Sequence, residues 1–191
     1  MSVDSPDLTA VVLAGGHSVR MGRDKAWLPH PQTGTPLLTR QLDLVAKLAP
    51  RQRLVSARAG QSLPPLPNDV PRINDDGTAG PLGGIVASLA AAPTSHLLVI
   101  AVDLPQLDLD TLRRLLTHCD ATHGAIATTT TGTEPLIAIY PRICLPALEL
   151  ALSQQQLGLK RLLRDPNIAA YFRFTLFDPC PTAFQNWNEP I

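Results

Sequence analysis

The amino-acid sequence predicts an α/β fold with a mostly parallel central sheet. Two continuous apolar runs of strand length, Leu8-Thr9-Ala10-Val11-Val12-Leu13 and Leu97-Leu98-Val99-Ile100-Ala101-Val102, read as strands buried on both faces. Segments of helical spacing separate these runs from further strand candidates, and that alternation is the pattern of strands joined by helical crossovers. In such sheets ligands bind beyond the carboxyl ends of the strands, where the winding direction reverses. Gly15 and Asp103 closely follow the two apolar runs, so one crevice can receive both.

The elements follow in order. After the first strand comes a Gly- and charge-bearing loop that ends at Lys25. Pro36 opens a helix running to about Ala49, with Leu38, Leu42, Val45 and Ala49 at helical spacing and Pro50 as its stop. Residues 53–57 are a short strand, and Pro64, Pro65, Pro67 and Pro71 mark the loop behind it. Gly80-Pro81-Leu82-Gly83-Gly84 leads into an apolar helix over 85–92, and 96–102 is the strongest strand. Asp108 or Asp110 caps the next helix, which carries Leu112, Leu115 and Leu116. Strands over 125–129 and 136–140 flank a turn at Gly132, helices cover 146–155 and 160–164, and 171–177 is a late strand.

Size and composition bound the function. A chain of 191 residues suits a single domain spanning 1–191. With 45% hydrophobic and 17% charged residues it is globular in composition. The 16 Lys plus Arg balance 16 Asp plus Glu, so no overall field favours nucleic acid or an anionic membrane, and any anion binding must be local. The apolar runs are too short for a membrane span and the N-terminus lacks a signal pattern, which predicts a cytoplasmic protein. Cys119, Cys144 and Cys180 are widely spaced and odd in number, which suggests neither a disulfide framework nor a metal site.

The loop after the first strand carries the chemistry. Gly15 and Gly16 permit positive φ and allow the main chain to approach a ligand where a Cβ would collide. Successive N–H groups in such a turn form an anion-binding concavity, and Arg20 and Lys25 add two cations. This points to a phosphate site. The loop is not a Walker A motif, because Met21 and Asp24 stand where Gly-Lys order is required, nor a dinucleotide fingerprint, because His17 replaces the second Gly. Asp103, just beyond a buried strand, is well placed to hold Mg²⁺ through oxygen; the plain alternative is a helix cap or loop ion pair.

The stretch Leu13-Ala14-Gly15-Gly16-His17-Ser18-Val19-Arg20-Met21-Gly22-Arg23-Asp24-Lys25 resembles the signature loop of the nucleotidyltransferases related to molybdenum cofactor guanylyltransferase. The likeness extends from Leu13 to Pro190. It implies a Rossmann-like three-layer nucleotidyltransferase domain with Leu13, Ala14, Gly15, Gly16 and Lys25 on the nucleotide. The segment Val102-Asp103-Leu104-Pro105 resembles the family's Cys-Asp-x-Pro, with Val in place of Cys, and implies a metal-ligating Asp103. Gly80 and Gly84 would line the base and ribose pocket, although a tight strand-to-helix turn accounts for them equally simply. Asp75, next to Asp76, resembles the family's nucleotide-contacting acid. Asn186-Trp187-Asn188-Glu189-Pro190 resembles Asn-x-Asn-Thr-Pro, which puts Asn186 and Asn188 beside the second substrate.

The resemblance implies transfer of GMP from GTP to molybdopterin in its Mo-loaded form, with release of pyrophosphate. Arg20, Lys25 and Asp103 would be the catalytic residues and Mg²⁺ the cofactor. Other cofactor-biosynthesis proteins would be transient partners. Leu-Ala-Gly-Gly at 13–16 is typical of guanine-using relatives, whereas cytidine-using ones tend to have Leu-Ala-Ala-Gly. The alternatives are molybdopterin cytidylyltransferase, a sugar-1-phosphate nucleotidyltransferase, and a catalytically silent nucleotide-binding regulator.

Overall fold

Seven strands form one sheet in the order β3-β2-β1-β4-β6-β5-β7. They are β1 (Leu8–Leu13), β2 (Gln52–Arg58), β3 (Arg72–Asp75), β4 (His96–Ala101), β5 (Gly124–Thr129), β6 (Gly132–Pro141) and β7 (Phe172–Leu176). The computed structural model describes residues 7–16, 24–75, 77–177, 182–185 and 187. β1 pairs in parallel with β2 on one side and β4 on the other, β2 with β3, and β5 with β7. Only β6 runs the other way, antiparallel to both β4 and β5. Winding moves outward from β1 to β2 and β3, then returns to place β4 on the opposite flank. The switch point therefore lies between the carboxyl ends of β1 and β4.

Helices cover both faces, and side-chain alternation along the strands divides the core accordingly. On β1, Ala10 and Val12 join one cluster with α1 (Leu37–Ala46) and α3 (Leu109–Leu116), while Val11 joins the other with α2 (Gly80–Ala91) and α4 (Leu145–Ser153). On β4, Leu98 and Ile100 face the first cluster, and Leu97 and Val99 the second. These central strands are buried on both sides, so they read as unbroken apolar runs. Two short helices, α5 (Leu159–Leu162) and α6 (Pro166–Ala169), add Leu159, Leu162 and Ile168 to the second cluster. Among the described residues no helix is long and apolar enough to cross a membrane. Burial pushes the Cys119 and Cys144 thiols up to about 12, which keeps them protonated and inert; Cys180 lies outside the described residues.

Several boundaries depart from the sequence expectation for identifiable reasons. The first helix ends at Ala46, not near Ala49, whose φ of 50° has already left the helical region. Helix α2 begins at Gly80 and not at residue 85, because Pro81 at its first turn presets the helical φ. Asp108, not Asp110, caps α3: its Oδ1 accepts from the Thr111 amide at 2.7 Å. β6 starts at Gly132 and continues through Pro135, which the sheet tolerates because the register with β5 slips between Ile126 and Ala127. β3 and α6 were not foreseen. β3 is an edge strand with one apolar residue, Ile73, in Arg72-Ile73-Asn74-Asp75.

Candidate active site

The exits of β1 and β4 open onto a cavity of about 280 Å³. Leu13, Ala14, Gly15, Gly16, Lys25, Asp75, Gly80, Gly84 and Asp103 all line it. Of the residues singled out from sequence, Arg20, Asn186 and Asn188 lie outside the described residues, as does Asp76. Ser56 and Gly77 also line the cavity and had not been singled out.

Main-chain bonds set the floor. The Ala14 amide donates to the Ser56 carbonyl at 2.8 Å, and the Val102 amide to the Leu13 carbonyl at 3.1 Å, so the three strand exits are locked in step. Asp75, at the end of β3, is held from two sides: Oδ1 accepts from the Gly77 amide at 2.9 Å and Oδ2 from Ser56 Oγ at 3.0 Å. This carboxylate explains Gly15. A Cβ there would lie 2.8 Å from Asp75 Oδ2, below contact distance. A side chain at 15 would displace this carboxylate from its bonds, and neither Gly15 nor Gly16 uses the positive φ that glycine permits. Gly84, one turn into α2, is close-packed in the same way: its Cβ would come within 2.6 Å of Ser56 Oγ, which would have to turn aside. Helix α2 aims its N-terminus at the cavity through Gly80 and Pro81, and Ala79 at its cap provides no side-chain acceptor for the first amides.

Lys25 and Asp103 meet across the cavity. Lys25 Nζ donates to Asp103 Oδ2 at 2.7 Å, with the two side chains 24% and 18% exposed. Lys25 opens a short 3-10 turn, Lys25–Trp27, capped by Asp24 through a 3.0 Å bond from the Ala26 amide. The loop carrying Asp103 is held from below by α1. Gln41, fully buried, donates to the Leu104 carbonyl at 2.7 Å, and His30 Nε2 donates to the Pro105 carbonyl at 3.0 Å. From above, the Trp187 amide donates to the Asp103 carbonyl at 2.9 Å, which brings Trp187 to the same spot.

The donor set suits a hard divalent cation held by few protein ligands. Asp103 supplies one carboxylate lining an open cavity, and Asp75 a second carboxylate on its wall. No group of three or more metal-ligating side chains exists among the described residues. That matches a Mg²⁺-type ion, which takes one or two carboxylates and completes its shell with water and substrate phosphates.

The MobA-like NTP transferase domain matches residues 10–170. The chain is 35% identical over 171 residues to a probable molybdenum cofactor guanylyltransferase of Rhodopirellula baltica, covering 84% of this chain and 80% of that one. Its fold resembles that of molybdopterin-guanine dinucleotide biosynthesis protein A from Archaeoglobus fulgidus, with a TM-score of 0.68 at 22% identity, over 95% of this chain and 93% of that one. A Mycobacterium tuberculosis protein solved with manganese superposes with a TM-score of 0.65 at 20% identity, over 95% and 94% of the two chains.

Proposed function

The chain belongs to the MobA-like NTP transferase family and is a nucleotidyltransferase, and we propose that it transfers GMP from GTP to molybdopterin as a single domain over residues 1–191. The observation that carries this reading is the Lys25–Asp103 pair at 2.7 Å, set where the exits of β1 and β4 converge. In the proposed reaction, a terminal phosphate oxygen of Mo-loaded molybdopterin bonds to the α-phosphorus of GTP. The bond from that phosphorus to the α–β bridging oxygen breaks, and pyrophosphate departs with its electron pair. No protein nucleophile is needed, so the protein contributes positioning and charge.

Each group has a role that its setting supports. The Gly15 and Gly16 amides and the Lys25 ammonium hold the β- and γ-phosphates and balance the charge that grows on the leaving group. Arg20 is assigned the same task from the sequence. Asp103 would hold Mg²⁺, which would supply electrophilic charge to the substrate phosphates. Asp75 keeps acceptor capacity beyond its bonds to Gly77 and Ser56 and receives nucleoside donors. The walls at Leu13, Ala14, Gly80 and Gly84 shape the base and ribose pocket. Asn186 and Asn188 flank Trp187, whose amide reaches Asp103, and are assigned to the second substrate. The manganese in the Mycobacterium tuberculosis relative and the guanylyltransferase name of the Rhodopirellula baltica relative favour a divalent ion and guanine. A cytoplasmic location and transient contact with other cofactor-biosynthesis proteins belong to the same proposal.

Pyrophosphate release from purified protein, Mg²⁺, Mo-loaded molybdopterin and each of the four nucleoside triphosphates tests the substrates. GTP is expected to support the fastest release. Faster release with CTP overturns the guanine assignment, and release with none of the four overturns the transfer reaction.

Gly84→Ala separates site geometry from fold stability. In a helix interior Ala is favoured over Gly by about 1 kcal/mol, which offsets part of the strain of its new contact with Ser56. Ser56 Oγ must rotate away from the added methyl and release Asp75. The expected result is a KM for GTP raised about tenfold, one hydrogen bond to a charged group, with a melting temperature within a few degrees of the parent. An unchanged KM means that the Ser56–Asp75 bond plays no part in nucleotide binding.

A further inference from the structure

We infer that the side-chain amide of Gln61 is a positioning residue that clasps the β1 exit to the Lys25 turn, a role that rests on the nucleotidyl transfer proposed above. Gln61 belongs to the tight turn after β2. Its Oε1 accepts from the Arg58 amide at 3.0 Å, and its Nε2 donates both to the Ala14 carbonyl at 2.9 Å and to Asp24 Oδ2 at 2.6 Å. The residue is 8% exposed. One carboxamide thus uses one acceptor and both donor hydrogens, each on a different segment.

The identity of the three partners makes this a clasp. Ala14 directly precedes the glycines whose amides face the phosphates. Asp24 caps the turn that begins at Lys25. Arg58 ends β2, and its turn is anchored in turn to β3: the Arg72 guanidinium donates to the Gln61 carbonyl at 2.9 Å and to the Arg58 carbonyl, while the Ala59 amide donates to the Asp75 carbonyl at 3.3 Å. The amide group therefore ties the phosphate-facing backbone and the cation to the strand that carries Asp75. Trp27 extends the tie, since its indole Nε1 donates to the carbonyl of Ser62, next to Gln61.

Only an amide satisfies this arrangement. A carboxylate at 61 has no donor, so it faces the Ala14 carbonyl and the Asp24 carboxylate with like charge. Changing Asp24 to Asn at the same time restores a donor to the new carboxylate, while the Asn oxygen still caps the Ala26 amide.

The test uses Gln61→Glu, Gln61→Met and the double change Gln61→Glu with Asp24→Asn, each in a Trp187→Phe background so that Trp27 alone reports by fluorescence. Gln61→Glu is expected to lower kcat/KM for GTP at least ~10-fold by misplacing the phosphate-facing groups. The KM for molybdopterin should move less than twofold, a split that general destabilisation does not produce. Trp27 emission should shift to the red and quench more readily with acrylamide. The double change is expected to recover much of both effects. Gln61→Met keeps the side-chain length without donors and replaces Gln61→Glu if that variant does not fold. Wild-type KM and unshifted Trp27 emission in Gln61→Met overturn the clasp, as does an equal rise in both KM values. If the parent protein releases no pyrophosphate with any nucleotide, the transfer reaction fails, and the emission of Trp27 still decides the clasp.

Discussion

Asp103→Asn is expected to slow pyrophosphate release on the order of 1,000-fold, the scale on which a charge-stabilising group aimed at a reacting centre is lost. The substitution keeps the shape of the side chain and removes its charge. A neutral amide is a poor ligand for a hard divalent ion, and it no longer pairs electrostatically with Lys25. The fold should survive. Lys25 and Asp103 are 24% and 18% exposed at the edge of an open cavity, so an unpaired ammonium can be solvated there. The expected stability loss is about 1 kcal/mol, a shift of a few degrees in melting temperature for a chain of this size. Release within tenfold of the parent, from a protein that melts normally, removes Asp103 from the chemistry. Excess Mg²⁺ should not rescue the variant, because what is missing is the ligand's charge and not occupancy alone.

Lys25→Ala is expected to lower kcat at least ~100-fold, since the ammonium balances charge that appears on the departing pyrophosphate in the transition state. Affinity for GTP should fall by less than kcat does. The starting phosphates are already charged, but charge at the leaving oxygen grows only as the bond breaks. The substitution also leaves Asp103 without its 2.7 Å partner. A single-turnover measurement distinguishes loss of chemistry from loss of binding. A change within twofold in both constants removes Lys25 from the site's machinery.

The architecture was legible where burial was complete. β1 over Ala10 to Leu13 and β4 over Leu97 to Ala101 are apolar without a break because both of their faces are covered, and that pattern is visible without coordinates. The edge strand β3 was not legible, because Arg72, Asn74 and Asp75 are polar and only Ile73 carries an apolar signal. The reversed direction of β6 was also hidden, since a strand's sequence does not state its orientation. For the cavity, the loop, Lys25 and Asp103 could be found from residue type and spacing, and Asp75 only from the resemblance of its segment to the family's. The reason for Gly15 could not. It lies in an Asp75 oxygen 2.8 Å from the absent Cβ, a contact between two distant stretches of chain. Gln61 was invisible for the same reason: it reaches Ala14 and Asp24 across 47 and 37 positions of sequence. Gln41 and His30 hold the Asp103 loop from 63 and 75 positions away. Such supports have no local signature, only partners that the fold delivers.

The place of β1 between β2 and β4 has a consequence for biosynthesis. Its two hydrogen-bonding neighbours are β2 and β4, and the second of these is complete only at Ala101. A nascent chain stalled before His96 leaves one hydrogen-bonding edge of β1 unpaired. Emergence of β4 from the ribosome is therefore the moment at which β1 can pair along both edges. The glycines and the acid at the ends of these two strands come together in that same event.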